Sequence, residues 1–204
     1  MARSTDIDQP RYARWVNISH AMDTIEPGLT VFLQGLGKID AKLVYEEALY
    51  RQLPAEVRTS FQESLHLTDR FALSHLWVLG AYEATRTLDQ RVRNNASLLT
   101  RQLARRLARV KREFERVRIP LAKLEPSHKY EQTDFSLARP AIHRELGISW
   151  RVAKRVFIPR HRLSERLMGL LGAIQDYQNR KNRHLTTRST RTRSVRSAPV
   201  SATR

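Results

Sequence analysis

Between residues 103 and 124 apolar side chains recur at 4-3-4-3-4-3 spacing: Leu103, Leu107, Val110, Phe114, Val117, Leu121 and Leu124. That is the a/d seam of a heptad sustained for about three repeats, a period that no β-strand can satisfy. The segment is therefore a helix with one narrow apolar face that something must cover. Its other faces carry Arg101, Arg105, Arg106, Arg109, Lys111, Arg112, Arg116 and Arg118, relieved only by Glu113 and Glu115. Two kinds of cover fit the seam. One is the rest of this chain; the other is a partner helix or second copy docked through Leu103, Leu107, Val110, Phe114 and Val117. Pro120 is expected to kink or stop the helix.

The remaining chain is also read as mainly helical. With 7 Gly and 8 Pro in 204 residues there are few breakers, too few for a many-turned β sandwich. Pro10 suits the first turn of a helix carrying Trp15, Ile18 and Met22, closed by Glu26-Pro27-Gly28. A second helix is expected over Leu29 to Gln52, with a break near Gly35–Gly37, and a short third one from Pro54 through Leu65. Asp69 reads as the N-cap of the next helix, which is apolar nearly all round and so central and buried. Residues 126–146 read as loop. Ile148, Trp150, Val152, Val156 and Ile158 share one parity while Arg151 and Arg155 take the other, a strand or a tight hairpin turning near Ala153-Lys154. A last helix starts near Arg162, with Leu163, Leu167, Leu170, Ile174 and Tyr177 on one side. The fold class is thus mainly α. One helical domain of five or six helices over 1–179 carries a small β-hairpin or strand insertion and is followed by a disordered basic C-terminal tail at 180–204.

Charge is sorted along this framework. Residues 1–97 carry 11 Lys and Arg against 12 Asp and Glu, a near-neutral half. Residues 98–179 carry 18 against 8, and residues 180–204 carry 8 with no acid at all. One-signed charge on three separate elements, with Trp150 and Phe157 interleaved, is the footprint of a polyanionic partner, nucleic acid being the commonest. Arg outnumbers Lys 30 to 7, which suits bidentate phosphate contacts, although a GC-rich coding sequence gives the same bias. The expected contact residues are Arg101, Arg105, Arg106, Arg109, Arg112 and Arg116 on the heptad helix and Arg151, Arg155, Arg160 and Arg162 around the strand unit. Arg188, Arg191 and Arg193 would add to them from the tail. Nothing in the chain looks like a base-reading module, so the expected role is a non-enzymatic accessory protein binding RNA or DNA with low specificity.

The apolar helix raises the alternative. His75, Tyr82, Arg86 and Asp89 fall at spacings of 7, 4 and 3, one stripe with Glu83 beside it, and are expected to form a buried polar network. Within the same helix, the run Asp69-Arg70-Phe71-Ala72-Leu73-Ser74-His75 resembles the Arg–His motif of the HEPN superfamily of small helical ribonucleases. That resemblance implies a metal-independent ribonuclease of a toxin or phage-defence type. Arg70 would hold the scissile phosphate, and His75 would serve acid/base or positioning chemistry during 2′-hydroxyl attack. It covers only these few residues, and Phe71 stands where the family usually carries a polar side chain. On the residues alone the pair reads as structural.

Other chemistry is not expected. Gly35-Leu36-Gly37-Lys38 lacks the spacing of a phosphate-binding loop, and no nucleophile-elbow, zinc-helix or calcium-loop motif occurs. With no cysteine and seven scattered histidines, neither a metal nor another cofactor is expected. The opening MARSTDIDQP has no apolar stretch resembling a secretory signal, and no window is apolar enough to span a bilayer. The cytoplasm is the expected compartment and no membrane partner is expected.

Overall fold

The computed structural model describes residues 6–195, and side-chain surroundings as far as residue 183. Its elements are α1 (Gln9–Ser19), α2 (Leu29–Gln52), α3 (Ala55–Arg58), α4 (Phe61–Asn94), α5 (Arg101–Lys123), β1 (Asp134–His143), β2 (Gly147–Ala153), β3 (Val156–Pro159) and α6 (Arg160–Val195). Single 3-10 turns occupy His20–Thr24 and His128–Tyr130. The class is mainly α, with six α-helices and one small antiparallel sheet of order β1-β2-β3 among the described residues.

Helix starts follow local capping chemistry. The Asp8 carboxylate accepts from the Arg11 N–H at 3.0 Å, the Ser60 hydroxyl from the Glu63 N–H at 3.2 Å, and the Thr100 hydroxyl from the Leu103 N–H at 3.2 Å. Each satisfies one of the orphan donors of a first turn. The cap at Ser60 corrects one expectation. The fourth helix begins at Phe61, with Asp69 inside it, so the third helix shrinks to a single turn. The second helix is not interrupted at Gly35–Gly37. There, glycine permits contact instead: a Cβ on Gly37 would lie 2.4 Å from Trp15 Cβ, so α1 can seat its indole directly on α2.

The heptad seam is covered from within. Leu107, Val110, Phe114, Val117 and Leu121 are buried, and Phe114 lies 5.8 Å from the ring of the fully buried Trp77 on α4. Leu163, Leu167, Leu170, Leu171 and Ile174 of α6 join the same core. The seam is therefore spent on the chain's own fold and leaves no apolar row for a partner helix, which corrects that expectation. Leu124, its last member, has left the helix at φ 57 and is exposed. Pro120 does not stop α5, which runs on to Lys123. Lying in the last turn, it removes one backbone hydrogen bond close to where the ladder ends anyway.

The strand unit is larger than the sequence suggests. The hairpin β2–β3 turns at Lys154–Arg155, and the segment read as loop contains β1, paired to β2 from Asp134↔Ala153 to His143↔Gly147 with an irregularity between Asp134 and Arg139. Trp150 and Val152 turn inward onto the helices. α6 is carried to Val195, so residues 180–195 lie within the bounds of this helix. Residues 196–204 lie outside the described residues, as do the side chains of the predicted contacts Arg188, Arg191 and Arg193.

Candidate functional site

A buried charge cluster fixes where the basic elements sit. Asp40 of α2 is fully buried and accepts from Arg11 Nε at 2.5 Å, Trp15 Nε1 at 2.8 Å, Ser164 Oγ at 2.8 Å and the Arg160 guanidinium. Arg160, also fully buried, reaches Glu47 Oε2 at 3.4 Å, and Glu47 Oε1 accepts from the Ile148 N–H of β2 at 3.2 Å. Gly147 sits at φ 69 with no room for a Cβ beside the Glu47 carboxylate, so the strand can approach that closely. Burial alone would raise the Asp40 carboxyl, but Arg160 and Arg11 with their hydrogen bonds hold it below the ordinary carboxylate range. Glu47 goes the other way: burial raises it, and Arg160 and the Ile148 N–H offset that only in part. The cluster ties α1, α2, β2 and the start of α6 into one frame. It also corrects one expectation, because Arg160 serves the interior and has no surface to offer a partner.

This frame sets the first turns of α6 beside α5, and a cleft of about 420 Å³ lies where they meet β3 and the 128–130 turn. Arg109, Arg112 and Arg116 line it from α5, Arg162 and Arg166 from α6, and Lys129, Tyr130 and Phe157 from the segments between. Two of these cations are engaged. Arg116 grips Asp134 through two hydrogen bonds of 2.8 and 2.9 Å while its guanidinium lies 3.8 Å from the Tyr130 ring centroid, and Arg166 pairs with Glu113. Arg109, Arg112, Lys129 and Arg162 make no ion pair among the described residues. Glu115, the other acid in the wall, accepts from the Tyr82 hydroxyl at 3.4 Å.

The cleft opens onto two further basic surfaces. Arg101, Arg105, Arg109, Arg112 and Arg116 recur at spacings of three or four residues, so α5 presents them as one stripe. Arg106 lies on the neighbouring face toward α6, its Nη2 3.1 Å from where a Gly169 Cβ would stand. From the lip of the cleft, Phe157 leads onto the outer face of the sheet. Arg151 lies 5.5 Å from its ring and 5.8 Å from the Phe135 ring, and Arg139 lies 4.6 Å from Phe135. Arg155 is exposed at the hairpin turn. Of the predicted contacts with described side chains, Arg109, Arg112, Arg116 and Arg162 converge on the cleft. Arg101, Arg105 and Arg106 extend from it along α5. Arg151 sits on the adjoining sheet face, and Arg160 is withdrawn into the core.

Sequence reasoning missed Lys129, Tyr130, Phe135, Arg139 and Arg166. The first four belong to the stretch read as loop, where Pro126 and Pro140 hide the strand. Arg166 was legible, standing four residues after Arg162 on the same helical face.

The predicted polar row on α4 does not form one network. His75 packs edge-on against Trp150 at 6.0 Å, Arg86 pairs with Glu83 at the surface, and Asp89 accepts from Lys111 at 2.9 Å and pairs with Arg93 at 3.1 Å. Tyr82 donates to Glu115, and Arg118 of α5 links Tyr82 to the Arg86–Glu83 pair, standing 5.0 Å from the Tyr82 ring centroid and 3.9 Å from Glu83 Oε1. Arg70 is buried against Glu63, with its guanidinium 4.9 Å from the Tyr50 ring. It lines a groove between α2 and α4 in which His75 has no part, so the two residues of the ribonuclease-like motif do not converge. Among the described residues, no three His, Asp or Glu side chains gather as a metal site, and no helix is long and apolar enough to cross a membrane. The chain matches no protein-family model, no curated protein and no solved structure.

Proposed function

We propose that this protein binds nucleic acid through the α5–α6 cleft and the Arg stripe that leads out of it, without base-specific readout. The observation that carries the reading is the convergence on one cleft of Arg109, Arg112, Lys129 and Arg162, none of which makes an ion pair among the described residues, while the acids of the same wall, Glu113 and Glu115, are engaged by Arg166 and the Tyr82 hydroxyl. A basic surface that served only solubility would disperse like charges to limit their repulsion. Gathering them costs stability in the free protein, and an anion with closely spaced charges relieves that cost. Nucleic-acid phosphates fit, because each neutralised phosphate releases condensed counterions and the gain grows with the number of contacts.

A binding role suits the geometry better than catalysis. The acids near the cleft, Glu113, Glu115 and Asp134, are each held by a cation or a hydroxyl, and the Arg70–His75 motif faces elsewhere. The test is fluorescence anisotropy with labelled 20-residue oligonucleotides over a salt series. Arg109→Ala with Arg162→Ala is expected to make the slope of log affinity against log salt shallower by about two, near one unit per lost phosphate contact. The melting temperature should hold, since both side chains are exposed and unpaired. Unchanged binding and slope in the double variant would remove the cleft from the interface.

A further inference from the structure

Resting on the nucleic-acid reading just given, we propose that the strand taken by this surface is single-stranded, with an unstacked base lying on Phe157 while the neighbouring phosphates occupy the cleft. Phe157 is 47% exposed on the lip of that cleft. The strand register extends the platform. Arg139 stands opposite Arg151, and Arg151 stands opposite Phe157, so the three form one row across β1, β2 and β3. Adjacent strands are about 4.8 Å apart, which makes the row about 10 Å wide, room for two or three nucleotides.

The row is ordered before any ligand arrives. The Arg151 guanidinium lies between the Phe157 and Phe135 rings, at 5.5 and 5.8 Å, and Arg139 packs 4.6 Å from Phe135. Guanidinium planes held beside aromatic faces are the surfaces on which splayed bases stack, and they do so with little sequence preference because every base has a π face. The opposite wall repeats the pairing, with Arg116 over Tyr130 at 3.8 Å. A duplex keeps its base faces buried in its own stack and can offer this surface phosphates alone. The cleft is also the size of a small-ligand pocket, so a duplex would rest on its rims, whereas a flexible strand can enter.

The test compares a labelled oligouridine 15-mer with a blunt RNA duplex of the same length at one low salt concentration. Parent, Phe157→Ala, Phe157→Tyr and Arg139→Ala are measured side by side, each checked for folding by circular dichroism. The proposal expects tighter binding of the single strand and a loss of about 10-fold for that strand in Phe157→Ala, within the range of one base–aromatic contact. Phe157→Tyr should keep the affinity, Arg139→Ala should weaken the single strand, and duplex binding should be unmoved by Phe157→Ala. Equal or tighter duplex binding overturns the proposal, as does a Phe157→Ala effect that is absent or equal on both ligands, while the nucleic-acid reading survives. Failure of the parent to bind either ligand overturns both.

Discussion

Arg160 and Asp40 stand 120 residues apart in the chain and meet as an ion pair with neither side chain exposed. Their contact joins the first residue of α6 to the middle of α2. Because α6 begins there, it also sets the rotation at which Arg162 and Arg166 reach the cleft. A cationic surface is thus oriented by a cation that takes no part in it.

Removing one partner of such a pair leaves the other buried with less counter-charge, here Glu47 at 3.4 Å for Arg160 and Glu165 at 2.6 Å for Arg11. Asp40→Asn is expected to destabilise the protein by about 3–5 kcal/mol, since Arg160 and Arg11 both lose their main counter-charge. Urea titration followed by circular dichroism measures this directly. A loss under about 1 kcal/mol would show that the cluster is not what holds α1, α2 and α6 together.

The same cluster makes stability depend on pH through His161. Burial first, then the charges of Arg11 and Arg160, press its imidazole below the ordinary value of 6.5, and Glu165 and Asp40 counter them only in part. The folded protein therefore binds this proton more weakly than the unfolded chain does. The stability contributed by His161 is complete above the unfolded value and is lost as pH falls from there through the depressed folded value. Glu47, raised above its ordinary 4.5, takes up its proton on folding and acts with the opposite sign in the acid range. Melting temperatures of parent and His161→Gln should diverge between pH 7.5 and 5.5, with the parent falling faster. Parallel curves would mean that His161 is not coupled to folding.

How far the sequence foretold this structure depends on where each signal is stored. The α2 bounds were legible because Pro27-Gly28 and Pro54 punctuate both ends. The buried seam of α5 was legible because its period repeats three times, although the sequence could not say that its cover would come from α4 and α6. The start of α4 was missed because Phe61 and Leu65 face solvent in its first two turns and blur the periodicity that normally marks a helix. β1 was missed because Pro140 sits inside it. An edge strand tolerates that proline where its missing N–H would have pointed away from the ladder. Arg160 was misplaced for a deeper reason. In Pro159-Arg160-His161-Arg162 it looks like part of a basic run, and only Asp40 and Glu47, more than a hundred residues upstream, make it interior. The cleft was half visible: composition announced the charge, and only packing shows which cations go unanswered.

Phe114 offers a test of the packing that closes the seam. It is fully buried between α4 and α6 and touches Trp77, so Phe114→Ala removes a ring the core cannot easily collapse around. The expected cost is about 3–5 kcal/mol. A midpoint within error of the parent would mean that α5 does not pack through this face.

Truncation after residue 183 tests how far the remaining charge contributes to binding. Residues 184–204 carry five Arg and no acid. If half of them neutralise phosphates, the salt slope becomes shallower by about two. An unchanged slope would confine the interface to the cleft, the α5 stripe and the sheet face.

The Arg70–His75 motif calls for the opposite kind of variant, one expected to act on stability alone. Arg70 is buried against Glu63 and Tyr50, so Arg70→Ala should cost about 1–3 kcal/mol by stranding the Glu63 carboxylate. His75 has its ring edge on Trp150, and its loss should cost about 0.5–1.5 kcal/mol of aromatic contact. Arg70 lines the groove between α2 and α4, whereas His75 lies against Trp150 and has no part in that groove. Labelled single-stranded and transfer RNA incubated with the parent protein, with and without divalent metal, should therefore be recovered intact. Cleavage that needs no metal and disappears in both Arg70→Ala and His75→Ala, with each variant still folded, would show that the two residues do converge in solution and would replace the binding reading with a catalytic one.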